Sequence, residues 1–458
     1  MRRMIDDALL EILACPRCDQ PLTFENSTLH SKGAKVEFPV IEDIPFLFAD
    51  PAVAIDDWRS RYHARIREIE SEIGQLKAAL SAEGLPHSTE SRLRHEIDAL
   101  TAHIDELDTL MKPLDITSLT ADHDTYLAMR TRLPSDQGLS TYYANLHRDW
   151  CWGDEENRVS HDLVRSAVDT ESAGKLLVLG SGGSRLAYDL HQSLEPPMTV
   201  AVDFNPLLMF AANRIMCGEK VDLHEFPLAP MNAASTACAR TLSAPTPVKP
   251  GYFPVLANVL RAPFKPGVFD TLVTPWLIDV ISEPLPLQAA RWNRLLKRGG
   301  RWVWFGSHVF RTANPAHRFS VEETEEILQA QGFSKPEIVE AEIPYMVSPA
   351  NRHARTERVL VMSMTKTADA KAPPRHVALP DWIVRTDAPV PTNDSFRSQA
   401  MSTRIHAFLM SMIDGQRTIS DMAELMESQR LMPKDEAEAT LRTFLIRMFE
   451  EAGSYRAL

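Results

Sequence analysis

Cysteine is scarce in this chain: five in 458 residues, odd in number and scattered. No disulfide framework can be built on that count, so nothing points to a secreted, cross-linked scaffold. An excess of basic residues is also missing. Lysine and arginine number 49 against 62 acidic residues, for a formal charge of −13. That excludes the broad basic footprint of a nucleic-acid-binding surface and leaves only local patches. No stretch approaches the roughly 18 apolar residues of a membrane-spanning helix. The opening Met1-Arg-Arg-Met-Ile-Asp-Asp is too short and too acidic to begin a signal peptide. Together these absences predict a cytoplasmic protein with neither membrane nor nucleic acid among its partners. Its length is enough for about three structural units.

What the chain does contain is a strand, a glycine turn, a helix and a strand ending in an acid. Leu176-Leu-Val-Leu-Gly-Ser-Gly-Gly-Ser-Arg185 is an apolar run that breaks into glycine, and Leu186-Ala-Tyr-Asp-Leu190 reads as helix. Met198-Thr-Val-Ala-Val-Asp203 is a second apolar run closed by a carboxylate. This is half of a nucleotide-binding α/β fold. Glycines admit a ligand close to the backbone, and the acid can hold a pair of ribose hydroxyls. A dinucleotide turn has glycine at its first, third and sixth positions. Here the sixth is Arg185, so a diphosphate is poorly matched. S-adenosylmethionine has no phosphate and asks only for a tight turn and a ribose-binding acid; it is the cofactor these residues favour. NAD and a ligand-free α/β domain are the alternatives at this level.

Downstream, Phe253 to Phe264 reads as a third strand and a loop. Phe269-Asp-Thr-Leu-Val-Thr-Pro-Trp276 reads as a fourth strand opening onto Leu277-Ile-Asp279. A helix from Leu287 to Leu296, a basic turn Lys297-Arg-Gly-Gly300 and a strand Arg301-Trp-Val-Trp-Phe305 follow. Ligands of such sheets bind outside the carboxyl ends of the strands, where Gly180, Asp203, Asn258, Pro275 and Asp279 all fall. The expected fold class is α/β, with a Rossmann-like sheet of the class I methyltransferase kind.

Residues 142 to 366 resemble the carnosine N-methyltransferase family. The pieces that carry the resemblance are Asn145-Leu-His-Arg-Asp-Trp150, Gly180-Ser-Gly-Gly-Ser-Arg-Leu-Ala187 and Asp203-Phe-Asn-Pro-Leu-Leu-Met-Phe-Ala-Ala-Asn213. They continue with Phe269 to Asp279 and with Leu296-Lys-Arg-Gly-Gly300 through Gly306. The resemblance implies that Asn145 and Arg148 close over S-adenosylmethionine, with the planar Arg148 fork on the methionine carboxylate. It also implies Gly180, with Gly182 beside it, at the methionine portion and Asp203 at the ribose. Asn258 and Val259 would flank the adenine, and Pro275 would line the sulfonium side. Asp279 matches the family's substrate-binding acid and would orient the acceptor or take up its proton. Plainer roles stay open: an ion pair for Arg148 and a helix N-cap for Asp279.

The chain departs from the family where acceptor identity is decided. The family's third glycine is Ser184, and Gly306-Ser-His-Val-Phe-Arg311 presents His308, Phe310 and Arg311. His308 is a candidate catalytic residue or a structural one, and Phe310 and Arg311 are candidate acceptor contacts. The reaction expected is methyl transfer to nitrogen, in an imidazole or amine of a small molecule or peptide, with no metal. Two alternatives are an O-methyltransferase or one acting on a natural-product peptide delivered by the C-terminal domain. A third is a non-catalytic cofactor-binding scaffold that activates a partner.

The remaining segments read as modules. Residues 1–55 contain Cys15-Pro-Arg-Cys18 and several short apolar runs, and resemble the small zinc-ribbon-like proteins that activate tRNA and protein methyltransferases. One such cysteine pair is half of a structural zinc site, which takes four ligands, so a degenerate ribbon without metal is expected. Residues 56–115 carry two helical seams, Tyr62, Ile66, Ile69, Ile73, Leu76, Leu80 and Leu93, Ile97, Leu100, Ile104, Leu107, Met111, separated by Gly84-Leu-Pro86. They predict an antiparallel hairpin or coiled coil whose second helix is capped by Ser88 or Thr89. The hairpin packs on itself or serves as a dimerisation arm. Residues 116–366 form the cofactor-binding domain, 367–395 a linker rich in Ala, Pro, Thr and Asp, and 396–458 a small C-terminal domain. The last has a strand-like Asp414-Gly-Gln-Arg-Thr-Ile-Ser420 between helices. It resembles the winged-helix peptide-binding domain of the pyrroloquinoline quinone biosynthesis chaperone. That resemblance implies recognition of a peptide or a partner protein. Ribbon, hairpin and C-terminal domain are thus all candidate surfaces for a homodimer or a partner.

Overall fold

Strands buried on both faces need continuous apolar sequence, and the central runs supply it. In the computed structural model, β5 (Lys175–Leu179) is buried from Leu176 onward and β6 (Met198–Asp203) is buried throughout. The structure describes residues 5–116, 138–168, 173–310, 312, 314–376, 379–385 and 387–451. It divides into two compact units, Met1–Ala378 and Leu379–Leu458.

The first unit begins with a four-stranded antiparallel sheet of β1 (Thr23–Glu25), β2 (Thr28–Ser31), β3 (Val36–Ile41) and β4 (Ile44–Pro45). After β5 and β6 come a two-stranded hairpin, β7 (Val221–Glu225) with β8 (Cys238–Leu242), then β9 (Tyr252–Leu256) and β10 (Phe269–Pro275). The last three strands are β11 (Leu296–Gly306), β12 (Glu337–Tyr345) and β13 (Arg355–Thr365). Seven of these make the central sheet in the order β12-β13-β11-β10-β5-β6-β9. β9, β6, β5, β10 and β11 run parallel, and β13 is antiparallel to both β11 and β12. The chain starts at mid-sheet with β5, winds outward to β9, then returns to β10 on the other side. Strand order therefore reverses between β5 and β10, which opens a crevice at their carboxyl ends. The expected Rossmann-like α/β class is present.

The basic turn Lys297–Gly300 is not a separate loop. β11 starts at Leu296, and its register against β10 shifts between Phe269 and Thr271. The segment is absorbed as a bulge. Gly300 suits it, because a Cβ there would stand 2.9 Å from the Lys297 carbonyl and 3.1 Å from that of Asp270.

The ribbon sheet lies against the exposed edge of β9. Phe46 bridges Leu256 in parallel, and the Leu47 N–H donates to the Leu256 carbonyl at 2.7 Å. Leu13 bridges Phe264, and the Ala14 N–H donates to the Pro263 carbonyl at 2.8 Å. An uncovered edge strand invites pairing with other chains; here the protein's own N-terminal module satisfies it. Leu9, Ile12, Leu13, Phe38 and Leu47 join the core on one face of the central sheet. Among the described residues no group of His, Cys, Asp and Glu is arranged to hold a metal ion.

The helical seams form Pro51–Leu80 and His87–Met111, which pack together. Neither Ser88 nor Thr89 caps the second helix. Its N-cap is Pro86, without a side-chain bond, because the helix starts early enough to place Ser88 inside its first turn. Residues 367–376, expected in the linker, fold onto the first unit: the Asn293 side chain bonds the Ala368 carbonyl at 3.0 Å and the Ala370 N–H at 3.1 Å.

In the second unit the helices Asp394–Ser411, Ile419–Ser428 and Lys434–Glu451 surround Met412, Met422, Met426 and Leu441. The strand-like piece at 414–420 is a turn followed by a helix start, fixed by a capping box between Thr418 and Asp421. Among the described residues of this unit there is no strand to make a wing. No described helix is long and apolar enough to cross a membrane.

Candidate functional site

The glycine turn is locked by short-range bonds. The Gly180 and Ser181 N–H groups both donate to the Val202 carbonyl, at 2.9 and 3.0 Å, which ties the turn after β5 to the end of β6. Gly180 and Gly182 have φ of +73° and +55°, the left-handed region that favours glycine. A Cβ on Gly182 would meet nothing within 4 Å, so that glycine borders open space. Ser184, where the resemblance expects a third glycine, is also left-handed at φ +66° and fully buried. Its hydroxyl reaches Ser181 Oγ at 3.3 Å.

Asp203 closes the other side. One carboxylate oxygen accepts the Gly182 N–H at 2.8 Å and the other the Asn205 N–H at 2.9 Å. Burial raises its pKa to about 6, against the pull of those backbone N–H groups. Asn205 caps the helix Pro206–Met216 and reaches over to the Leu139 carbonyl at 3.2 Å. Asn258 lies beyond the end of β9, its side chain accepting the Leu260 N–H at 2.9 Å and capping the turn that holds Val259.

The loop after β10 comes next to this cradle. Pro275 is buried, and a Cβ on Gly180 would touch Leu277 Cδ1 at 2.8 Å. Asp279 follows two residues later, half-buried, in the turn closed by the Val280 N–H and the Leu277 carbonyl at 3.2 Å.

The upstream block also meets the glycine turn. Asn145 is half-buried on the short helix Tyr143–His147. Trp150 Nε1 donates to the Gly183 carbonyl at 2.8 Å, and a Cβ on Gly183 would run into Asp149 Oδ2. Arg148 does not present an open fork here. It donates to Asp149 at 2.7 and 2.8 Å and to Glu156 at 3.1 Å, and is held charged by both acids despite its burial. The other Glu156 oxygen accepts the Met346 N–H at 2.8 Å. The fork assigned to a cofactor carboxylate is thus filled by the protein's own acids. This buried network joins the upstream block to the end of β12.

Trp276 and Tyr345 form a wall that sequence reasoning missed. Their rings lie 5.0 Å apart, Trp276 also packs on Phe305 at 5.7 Å, and Arg355 covers Tyr345 at 4.6 Å. The signal was faint: Trp276 directly follows a strand end, whereas Tyr345 ends a strand near the far side of the sheet. Asp149, Trp150 and Glu156 were missed as well, although the first two stand inside the Arg-Asp-Trp block.

His308 and Phe310 are engaged elsewhere. His308 Nε2 pairs with Thr324 Oγ1 at 2.9 Å, and the ring stacks on Trp304 at 5.5 Å and meets Phe310 edge-on at 5.1 Å. Trp304 and Phe305 alternate across the sheet and belong to opposite cores. The His308–Phe310 pair packs on the Trp304 side, not with Trp276 and Tyr345. Burial holds the His308 imidazole below its ordinary pKa. Arg311 lies outside the described residues.

Comparison with known proteins finds likenesses of two kinds. Several solved structures resemble a little under half of the chain. One is phosphoethanolamine N-methyltransferase 2 of Haemonchus contortus in complex with S-adenosyl-L-methionine, 14% identical over 46% of this chain and 45% of that one, TM-score 0.31. Another is the YcgJ protein of Bacillus subtilis, 11% identical over 46% of this chain and 99% of that one, TM-score 0.32. The N-terminal module matches more closely. A UPF0434 protein of Pseudoalteromonas translucida is 53% identical over 49 residues, 10% of this chain and 75% of that protein. One from Laribacter hongkongensis is 44% identical over 50 residues, 10% of this chain and 85% of that protein. The family model described as Trm112p-like protein matches residues 6–43. Through this N-terminal module the chain belongs to the Trm112p-like family.

Proposed function

We propose that the α/β domain is an S-adenosylmethionine-dependent methyltransferase whose acceptor atom is a nitrogen. The observation that carries this reading is the bond between the Gly182 N–H and the Asp203 carboxylate at 2.8 Å. A glycine facing open space and a buried anion thus stand side by side at the ends of β5 and β6, next to the crevice where strand order reverses. A nucleoside with free ribose hydroxyls and no phosphate fits that pair: carboxylate oxygens have lone pairs to spare for the hydroxyls, whereas a diphosphate would be repelled by the Asp203 anion.

In this reading Asp203 holds the ribose, Gly180 and Gly182 admit the methionine portion, Asn258 and Val259 flank the adenine, and Asn145 and Pro275 close the reactive side. When bound, the cofactor supplies a methyl group already activated on a sulfonium. The protein's work is to orient the acceptor and exclude water. Trp276 and Tyr345 suit a nitrogen acceptor, because aromatic faces stabilise the positive charge that nitrogen gains on methylation. Asp279 takes the proton the product sheds. Arg148 is a positioning residue: it neutralises Asp149 and Glu156 and thereby fixes the block that touches Gly183.

The ribbon module, in the same reading, acts on its own chain. By pairing with β9 it braces the strand leading to Asn258, so the activator-like module serves its own chain. Incubating cell extract with the protein and isotopically labelled S-adenosylmethionine, followed by mass spectrometry, tests the proposal. A labelled nitrogen in a small molecule or peptide is expected; label on oxygen or carbon contradicts the acceptor, and no transfer at all contradicts the enzyme.

A further inference from the structure

A second cavity lies beside the ribbon and meets the proposed adenine end of the cradle at Val259. This cavity, of ≈ 320 Å³, is lined by Asp19 of the ribbon, the turn Val259–Arg261, the helix Leu285–Leu295 and the segment Ala372–Arg375. Four guanidinium groups line it: Arg261, Arg291, Arg294 and Arg375. Among the described residues two carboxylates answer them. Glu283 takes Arg291 in a bidentate pair at 2.7 and 2.8 Å, and Asp19 is shared by Arg375 at 3.0 Å and Arg294 at 3.6 Å. Arg261 is left over: among the described residues its guanidinium has no ion pair and no hydrogen bond. Burial, then Arg375 and Arg291, push its pKa down, and Asp19 offsets this only in part.

Like charges gathered in a half-enclosed space are destabilising unless an anion joins them. This gathering occurs in a chain whose overall charge is −13, so the general field of the protein does not favour it. Planar forks converging from several segments match an anion with more oxygens than a single carboxylate offers. We propose that this cavity binds a small phosphate-bearing anion, with Arg261 as its principal ligand. The size of the cavity and the net negative charge of the chain as a whole select a small molecule rather than a nucleic-acid backbone. Arg261 ends the turn that holds Val259, and the ligand would brace that turn from behind. The site does not depend on the methyl-transfer reading.

The test is calorimetric titration of inorganic pyrophosphate into the full chain at low salt, beside Arg261→Gln and Arg294→Gln. Saturable binding to the natural protein is expected, weakened about tenfold or more by Arg261→Gln and less by Arg294→Gln, which removes an already paired cation. Arg261→Lys, which keeps the charge and loses the fork, serves if Arg261→Gln fails to fold, and a several-fold loss is expected of it. S-adenosylhomocysteine titrated into the same variants shows whether any loss is specific to the anion. Absence of saturable binding overturns the proposal. So does equal affinity in the Arg261 variants, or displacement of pyrophosphate by a short oligoribonucleotide at lower concentration.

Discussion

The two halves of the sheet's carboxyl edge are built differently. On the β5–β6–β9 side the two contacts that shape the cradle span short stretches of chain. The Gly182 N–H meets Asp203 twenty-one residues away, and Asn258 caps its own turn. On the β10–β13 side the contacts are long-range. Met346 bonds Glu156 at a separation of 190 residues, and Trp276 meets Tyr345 only because β12 and β13 join the sheet as an antiparallel pair beside β11. A site assembled locally is specified by a motif, whereas one assembled across the sheet is specified by topology. In the proposed function the first side holds the cofactor and the second receives the acceptor.

The largest effect is expected at the joint between the halves. Arg148→Gln strands Asp149 and Glu156 as buried, unpaired acids, and should cost about 3–5 kcal/mol of stability, measured by denaturant unfolding. A cost under about 1 kcal/mol would place Arg148 outside the buried network.

Next come changes that separate the halves. Asp203→Ala should weaken S-adenosylhomocysteine by roughly 1.5–3 kcal/mol, the loss of a charged hydrogen-bond partner. Asp279→Ala and Tyr345→Ala should leave that affinity within about threefold while lowering turnover about tenfold or more. Equal cofactor loss in all three would erase the distinction. Cofactor binding by the natural protein should also decline as pH falls through about 6, where Asp203 protonates, and a flat profile would remove the carboxylate from the contact.

Stability has its own acid limb. His147 is almost wholly inaccessible, and burial lowers its pKa from 6.5 to about 3. The unfolded chain takes up that proton near pH 6.5 and the folded chain only near 3, so stability is lost as pH falls through this window. The slope should reach about 1.4 kcal/mol per pH unit and be shallower in His147→Leu. The smallest effect is expected of His308→Gln, with turnover changed less than about threefold; a loss of a hundredfold would return His308 to catalysis.

What the sequence disclosed follows the same line. Leu176 to Arg185 and Asp203 announced their half because strand, turn and acid are contiguous. Apolar spacing likewise found the helix pair, although neither Ser88 nor Thr89 caps its second helix, and the ribbon was found through its resemblance to a known family. Tyr345 and Glu156 were illegible because their meaning depends on an antiparallel excursion by β13 that no local pattern encodes. His308, open to a catalytic or a structural role in the sequence, packs on Trp304 because sheet alternation turns it to that side. Thr418 and Asp421 show the local rule overriding a strand-like reading, since a reciprocal cap begins a helix whatever the flanking residues suggest.

The central claim is that a phosphate-free nucleoside cofactor sits between Gly182 and Asp203. Calorimetric titration of S-adenosylhomocysteine into the full chain and into Asp203→Ala addresses it most directly. The account predicts saturable one-to-one binding by the natural protein and a large loss in the variant. No binding by the natural protein, or undiminished binding by Asp203→Ala, would contradict it.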